Sequence, residues 1–406
     1  MAQQYDYVVI GIGGIGSGAL YWLSKMAPNS KILGIEQFQL GHKNGGSQDW
    51  SRIVRKSLPP VSVSHLYKGL TSQFDDVWRT IEEDSGLKLI TRCGGLYFTD
   101  SNSDLAFYED SKELMKNGVP KGCVAMTAAE MNSRWSGAIT VDSSATGVYE
   151  ADAGLVDAAL ANAAHQQCAV RNGASIIENC KVYGLVKNED GKTQINTSKG
   201  AIVAGKVIVT SGAWTNNVIR SLGLEVPVIV TQENVTYFST PYLKEYSAAN
   251  FPIIIYPGPH CSVYSLPVYG VAAFKIGLDA AGPITTGDTR NFIPDVKREE
   301  YLKRWMGRYM PKALGPVMET KTCLYTMTKD RNYVIDGLAK QGYPNIFICV
   351  GAGHAFKFAP VLGKVLSEMA VKGKSDADVS AFRFDRPAVT DPNYPFWRDE
   401  SLVAKI

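Results

Sequence analysis

Tyr5-Asp6-Tyr7-Val8-Val9-Ile10-Gly11-Ile12-Gly13-Gly14-Ile15-Gly16, together with the second apolar run Lys31-Ile32-Leu33-Gly34-Ile35-Glu36, decides the fold of this chain. The first stretch reads as an apolar strand that runs into a glycine turn and then a helix. Gly11 suits the tight turn, Gly13 lets backbone approach a pyrophosphate, and Gly16 lets the helix pack closely on the strand. The N–H groups and partial positive charge at that helix N-terminus favour phosphate. Glu36 ends the second strand, where a carboxylate accepts hydrogen bonds from both ribose hydroxyls and disfavours the extra phosphate of NADP. These residues predict a βαβ dinucleotide site.

At 406 residues the chain exceeds what one core usually serves, so two domains sharing an interface are expected. Hydrophobic residues at 45% and charged residues at 20% fit a soluble globular α/β protein and exclude a disordered chain or coiled coil. The 42 basic and 39 acidic residues form no long like-charge block, so neither a nucleic-acid nor a membrane partner is expected. Cys93, Cys123, Cys168, Cys180, Cys261, Cys323 and Cys349 lack the short paired spacing of a zinc site or redox dithiol. No metal is expected, and the odd number of cysteines points to a reducing compartment. The chain enters its first strand without a signal peptide, and no apolar run approaches the ~20 residues that span a bilayer. Ala404-Lys405-Ile406 resembles the peroxisomal address Ser-Lys-Leu, which leaves a peroxisomal or a cytoplasmic location open.

Beyond the opening unit, the polar loop Gly41-His42-Lys43-Asn44-Gly45-Gly46-Ser47 is a candidate site wall ahead of Ser51-Arg52-Ile53-Val54-Arg55. Helical periodicity covers residues about 64 to 84 through Leu66, Leu70, Phe74, Val77, Trp78 and Ile81. Gly94–Phe98 reads as a strand, Thr127–Trp135 as a short capped helix, and Val156–Gln167 as a helix. Ser175–Ile177 and Lys181–Tyr183 then return to the first domain as short strands. Two further strands end in small-residue turns that lead into helices. Lys206–Thr210 runs into Ser211-Gly212-Ala213, and Pro344–Val350 into Gly351-Ala352-Gly353 ahead of a helix over Ala359–Met369. Such turns let backbone reach a bound ligand, and their scatter predicts a nucleotide domain assembled from separated segments. The tail after Arg383 is expected to wrap the surface.

Four motifs in order resemble the monomeric sarcosine oxidase family of flavin amine oxidases, which includes pipecolate and N-methyltryptophan oxidases. They are Gly11–Gly16 with Glu36-Gln37-Phe38; Ser51-Arg52-Ile53-Val54-Arg55; Lys321-Thr322-Cys323-Leu324-Tyr325-Thr326-Met327-Thr328 with Asp330 and Ile335-Asp336; and Gly353-His354-Ala355-Phe356-Lys357-Phe358. The resemblance implies an α/β fold: a Rossmann-like FAD-binding domain of the D-amino acid oxidase type, and a smaller substrate domain with a mixed or antiparallel sheet. It divides the chain into FAD-binding segments at 1–90, 150–222 and 325–385, substrate segments at 91–149 and 223–324, and a tail at 386–406. It also implies a monomer.

The family's cysteine is joined through sulfur to the flavin 8α-methyl carbon, which implies covalent FAD on Cys323; the alternative is a buried small hydrophobe in a strand. The resemblance further implies that Arg55 and Lys357 hold the substrate carboxylate and that Arg52 lies close to the flavin ring. Lys357 also suits the negative charge that reduction places near N1 and the C2 carbonyl. Against this stands a reading of Arg52 and Arg55 as solvated residues of a surface turn. Tyr264-Ser265-Leu266-Pro267 and Phe274-Lys275-Ile276-Gly277 match more loosely the family's pocket tyrosine and oxygen-activating lysine, Lys275 being otherwise an ordinary strand-end residue. Tyr264 and Tyr325 either line the amine pocket or are core aromatics with wet hydroxyls. Gln37, Ser51, Val182, Gly212, Gly353 and His354 complete the implied cofactor-binding set.

Departures from the family concentrate at the pocket. Gln48 and Asp279 replace histidines, Ala355 replaces a glycine, and the glycine loop before His354 is one residue shorter. Asp279 either favours a more cationic substrate or pairs with a neighbour. The implied reaction passes a hydride equivalent from an N-methyl or cyclic amino acid to the flavin, giving an imine, and oxygen then takes the electrons as hydrogen peroxide. No histidine or carboxylate stands in a context that demands an active-site base. Two alternatives remain: a flavin dehydrogenase or desaturase with another electron acceptor, and a flavin-binding protein without turnover.

Overall fold

Eight strands among the described residues form a sheet whose centre is the opening motif. The structure, a computed structural model, describes residues 3–56 and 66–406. Gln3–Ile10 pairs in parallel with Ile32–Ile35 on one side and with Gly200–Val209 on the other. Ser175–Ile177 extends the parallel core beyond Ile32–Ile35, and Ile346–Val350 adds to Gly200–Val209. Val182–Lys187 and Thr193–Thr197 join as an antiparallel meander, and Val334–Gly337 pairs antiparallel with Ile346–Val350. The parallel strands are apolar at successive positions, as burial on both sheet faces requires.

Helices Gly14–Met26, Ala158–Arg171 and Ala359–Lys372 cover one face. Leu20, Leu23, Leu362, Val365 and Leu366 are fully buried there, each contributing on the order of 1.5–3 kcal/mol through lost apolar exposure. The first and last of these helices touch backbone to backbone. A Cβ on Gly363 would lie 2.4 Å from the Ala19 nitrogen.

A second sheet of nine strands among the described residues is antiparallel except where Ile253–Pro257 runs parallel to Gly95–Thr99. Its longest ladder joins Val228–Phe238 to Val317–Thr328, with Cys323 opposite Glu233. Phe98, Phe251, Ile254, Phe274 and Ile276 form its core with Trp305 and Tyr309 from the helix Val296–Tyr309. A small antiparallel sheet of Arg52–Val54, Gly154–Val156 and Ile90–Thr91 adjoins both.

Several sequence expectations need correction. The periodic stretch over 64–84 is two helices, Lys68–Thr71 and Phe74–Ser85, separated at Ser72 and Gln73; Ser64 and His65 lie outside the described residues. The helix expected from Val156 starts at Ala158, because Val156 is paired in the small sheet and the Asp157 carboxylate caps the Leu160 N–H. The strand Val317–Thr328 runs unbroken across the 324/325 boundary, since its ladder to Val228 continues as far as Thr328. The tail does more than wrap the surface. Lys329 Nζ donates to the Asp391 and Pro392 carbonyls at 2.9 Å, Trp397 donates its N–H to the Lys329 carbonyl at 2.6 Å, and Arg398 and Val403 are buried. No helix among the described residues is long and apolar enough to cross a membrane.

Candidate active site

One continuous cavity of about 650 Å³ reaches from the glycine turn at the end of Gln3–Ile10 to the second sheet. At the turn, Gly11 has φ +81°, and a Cβ there would come within 2.8 Å of Ser211 Cα. The Glu36 carboxylate accepts from the Ile12 N–H at 3.2 Å and the Phe38 N–H at 3.3 Å, with His42 Nε2 3.3 Å away. Thr210 Oγ1 donates to the Gly11 carbonyl at 2.8 Å, Gln166 Nε2 to the Ile12 carbonyl at 2.9 Å, and the Gly14 N–H to Ser47 Oγ at 3.0 Å. The turn is therefore held rigid by side chains from four separate segments.

Of the cofactor-binding set, Gly11, Gly13, Glu36, Gln37, Ser51, Arg52, Val182, Gly212, Cys323, Gly353, His354 and Lys357 all line this cavity. Gly16 does not. It packs the helix onto the strand, where a Cβ would overlap the Gly11 carbonyl at 1.9 Å.

The residue types fit a dinucleotide. A turn that excludes a Cβ, a carboxylate at the end of the second strand, and a buried Ser211 hydroxyl without a protein partner offer the groups a ribose and pyrophosphate need.

At the far end, Cys323 is 7% exposed and faces the cavity from Val317–Thr328. Burial pushes its thiol pKa up, and the nearby Arg52 guanidinium only partly opposes this. The loop 41–47 closes on this strand. A Cβ on Gly46 would lie 2.5 Å from the Leu324 carbonyl, and Arg290 ties the two together by donating to the Asn44 carbonyl at 2.8 Å and to Thr322 Oγ1 at 2.6 Å.

Lys275 lies on Phe274–Leu278 and donates to the Ser51 carbonyl, while its Nζ stands 2.6 Å from the Asp49 carboxylate. Tyr264 on the next strand crosses Gly277, whose missing Cβ makes room for the phenol. Tyr325 is admitted in the same way by Gly353, at φ +72°. Burial raises the pKa of both tyrosines, so the phenols are neutral.

Lys357 donates to His354 Nδ1 at 2.7 Å and to the His354 carbonyl at 2.8 Å. Burial holds its pKa well below the usual lysine range, with the Arg55 and Arg331 charges pushing the same way and Asp279 opposing. Burial also lowers the pKa of His354, which is neutral and accepts at Nδ1. Arg55 feels burial most, partly relieved by Glu150 and Asp279.

Two site residues escaped the sequence reading. Arg331, in the turn after the cysteine strand, pairs with Asp279 at 2.5 Å and stacks on Trp397 with its guanidinium carbon 4.2 Å from the ring. Asp279 therefore pairs with a neighbour, one of the two alternatives its position left open. Asp49, the residue after Gln48, sits among Lys275, Arg52, Lys321 and Tyr237. The signal available was a charged residue inside a recognised motif for Arg331 and just ahead of one for Asp49.

A Rossmann-like sheet joined to an antiparallel sheet across a cavity with a dinucleotide cradle defines a nucleotide-cofactor oxidoreductase. The profile of the FAD-dependent oxidoreductases (DAO) matches residues 6–369. The monomeric sarcosine oxidase of Arthrobacter sp. (strain TE1826) is 30% identical over 390 residues, covering 95% of this chain and 97% of that one. The peroxisomal sarcosine oxidase of Homo sapiens is 27% identical, covering 95% and 98%. In fold, the chain is similar to NikD, an amino acid oxidase essential for nikkomycin biosynthesis, with a TM-score of 0.79, 20% identity and coverage of 94% and 98%. The chain belongs to the FAD-dependent oxidoreductases, in the branch of the monomeric sarcosine oxidases.

Proposed function

We propose that the protein is an FAD-dependent oxidase of a secondary amino acid, N-methyl or cyclic, that uses oxygen as its acceptor. The relatives named for sarcosine oxidation support the class, and the arrangement of cations in one cavity is the observation that carries it. Arg55 and Lys357 bind the substrate carboxylate, and that contact orients the amine carbon. FAD, when bound, supplies a two-electron acceptor that is reoxidised by oxygen. The amino acid loses a hydride equivalent and a proton to become an imine, which, if acyclic, water hydrolyses to a carbonyl compound and an amine. Oxygen gains two electrons and two protons and leaves as hydrogen peroxide.

Tyr264 and Tyr325 stay protonated and form polar-tipped apolar walls around the substrate. Lys275 supplies positive charge where oxygen is reduced. Arg52, beside Cys323 and Lys275, would add a fixed charge near the flavin ring system when FAD is bound. Ser51, Gln37, Val182 and Gly212, which line the cavity, would contact the cofactor when it is bound. Cys323 is the proposed attachment point for FAD, a reading supported by the cysteine motif and by a thiol that faces the cavity.

Neutralisation of Asp279 by Arg331 and the tyrosine lining favour a substrate with an uncharged side group. The tripeptide Ala404-Lys405-Ile406 and the location in the human relative's name support a peroxisomal site for this chemistry. A fluorescent fusion that leaves this tripeptide at the C-terminus tests that placement. The function is tested by a peroxide-release screen over sarcosine, larger N-methyl amino acids, proline and pipecolate against primary amino acids. Release confined to secondary amino acids supports the proposal, and release from primary ones alone contradicts it.

A further inference from the structure

The pairing of Lys275 with Asp49 is unlike the rest of the site, because both groups are nearly sealed: their side chains are 2% and 3% exposed. An ammonium buried without a partner gives up its proton rather than its hydration. Here it keeps one, because the Asp49 carboxylate lies 2.6 Å from Nζ and the Ser51 carbonyl accepts a second hydrogen bond.

Asp49 is itself fixed from several sides. Arg52 Nη1 reaches Oδ2 at 2.9 Å, the Tyr237 hydroxyl donates to Oδ1 at 2.5 Å, and Lys321 Nζ stands 3.3 Å from Oδ1. Its backbone carbonyl accepts from the Ala159 N–H at 3.1 Å. One nearly sealed carboxylate thus serves three cations, of which Lys275 alone is as deeply buried as itself.

We propose that Asp49 is a positioning residue that holds Lys275 at the cavity wall in its ammonium form, the form the oxygen reaction uses. This rests on the role given to Lys275 in the proposed function. The surroundings otherwise oppose that charge. Burial lowers the lysine pKa, Asp49 raises it and Arg52 lowers it again, leaving it at about 8. The pair is also faced by Tyr237 from the adjacent strand, whose ring centre is 5.8 Å from Nζ, by Lys321 and Cys323 from the cysteine strand, and by the Asp157 carboxylate at the start of the helix Ala158–Arg171. Burial pushes the Asp49 carboxyl up, but Lys275 and Arg52 outweigh it and hold it well below the usual carboxylate range, so it is an anion at any working pH.

Two signs follow. Removing the carboxylate must move the Lys275 midpoint down. Removing Lys321, a competing cation on the same carboxylate, must move it up.

The test uses the flavin-loaded enzyme and the variants Asp49→Asn, Lys321→Met and Lys275→Met. Reoxidation by oxygen is followed by stopped flow from pH 6 to 10, and the absorption spectrum of the resting flavin is titrated over the same range without substrate. Wild type should lose reoxidation rate along an alkaline limb matched by a spectral midpoint. Asp49→Asn should move both down by one pH unit or more, Lys321→Met should move both up, and Lys275→Met should abolish both. Unchanged midpoints in Asp49→Asn overturn the proposal. If that variant does not fold, an unchanged or lowered midpoint in Lys321→Met overturns it. Wild-type reoxidation in Lys275→Met with a normal spectral shift in Asp49→Asn would instead remove the oxygen role of the lysine while leaving the pairing intact.

Discussion

Asp279→Asn should make the protein less stable and its site better at holding anions. Arg331 is 14% exposed and Asp279 24%, at a separation of 2.5 Å, so the pair is largely but not wholly desolvated. Unit charges about 4 Å apart at an effective dielectric near 20 attract by about 4 kcal/mol, and breaking a buried pair by removing one partner costs about 3–5 kcal/mol. Partial exposure, the Trp397 ring and an asparagine oxygen that still accepts reduce this to about 2 kcal/mol. Burial disfavours the Arg331 charge and Asp279 favours it, and the substitution leaves Arg331 without its ion-pair partner beside Arg55 and Lys357. A carboxylate ligand about 10 Å from the lost charge gains roughly 1.5 kcal/mol at the same dielectric, close to a tenfold tighter Kd. Urea denaturation followed by tryptophan fluorescence reads the first effect. Titration of the bound flavin spectrum with acetate or proline carboxylate analogues at pH 6 reads the second. A stability change below about 0.5 kcal/mol with unchanged carboxylate affinity would refute the reasoning, since Arg331 would then owe its charge balance to other groups.

Removing the Arg55 guanidinium should cost on the order of 2–3 kcal/mol of carboxylate binding, so Arg55→Ala should weaken substrate binding or anaerobic reduction by one to two decades. Wild-type values would remove Arg55 from the substrate site. The Lys357 ammonium is disfavoured in the free enzyme by burial and then by Arg55 and Arg331, and a bound carboxylate restores it. Carboxylate binding should therefore take up a proton, and affinity should fall as pH rises through the depressed Lys357 pKa; calorimetry in buffers of different ionisation enthalpy checks this, and Lys357→Met should abolish the uptake. FAD should stay with the acid-precipitated wild-type chain and raise its intact mass by one FAD, while Cys323→Ser should release it. Retained adduct in that variant would move the attachment elsewhere.

The parts of this molecule that were legible in its sequence are those whose chemistry is local. Gly11, Gly13, Gly16 and Glu36 signal a βαβ turn within one short stretch, and the apolar runs at Val207 and Ile346 mark parallel strands because both their faces are buried. The capping pattern Thr127–Glu130 forms a full capping box. The helix Val296–Tyr309 went unread although Leu302, Trp305, Met306 and Tyr309 have helical spacing, because charged residues dominate its exposed face. The break at Ser72 and Gln73 has no proline or glycine to announce it.

The pocket was legible only as a set of candidates. Which charges meet depends on sheet register: Lys275 meets Asp49 because its strand lies against Tyr237, which also holds that carboxylate. Arg331 reads locally as one polar residue of the turn Lys329–Asn332. Only the folded chain brings it to Asp279 and beneath Trp397.

The central claim is tested most directly by mixing the purified flavin-loaded enzyme with the best secondary amino acid of the peroxide screen in the absence of oxygen, then admitting oxygen. The account predicts that the flavin bleaches fully on the first addition and recovers its colour on the second, with one hydrogen peroxide released per flavin. A flavin that stays oxidised under every secondary amino acid tried, or one that bleaches but is not recovered by oxygen, would contradict it.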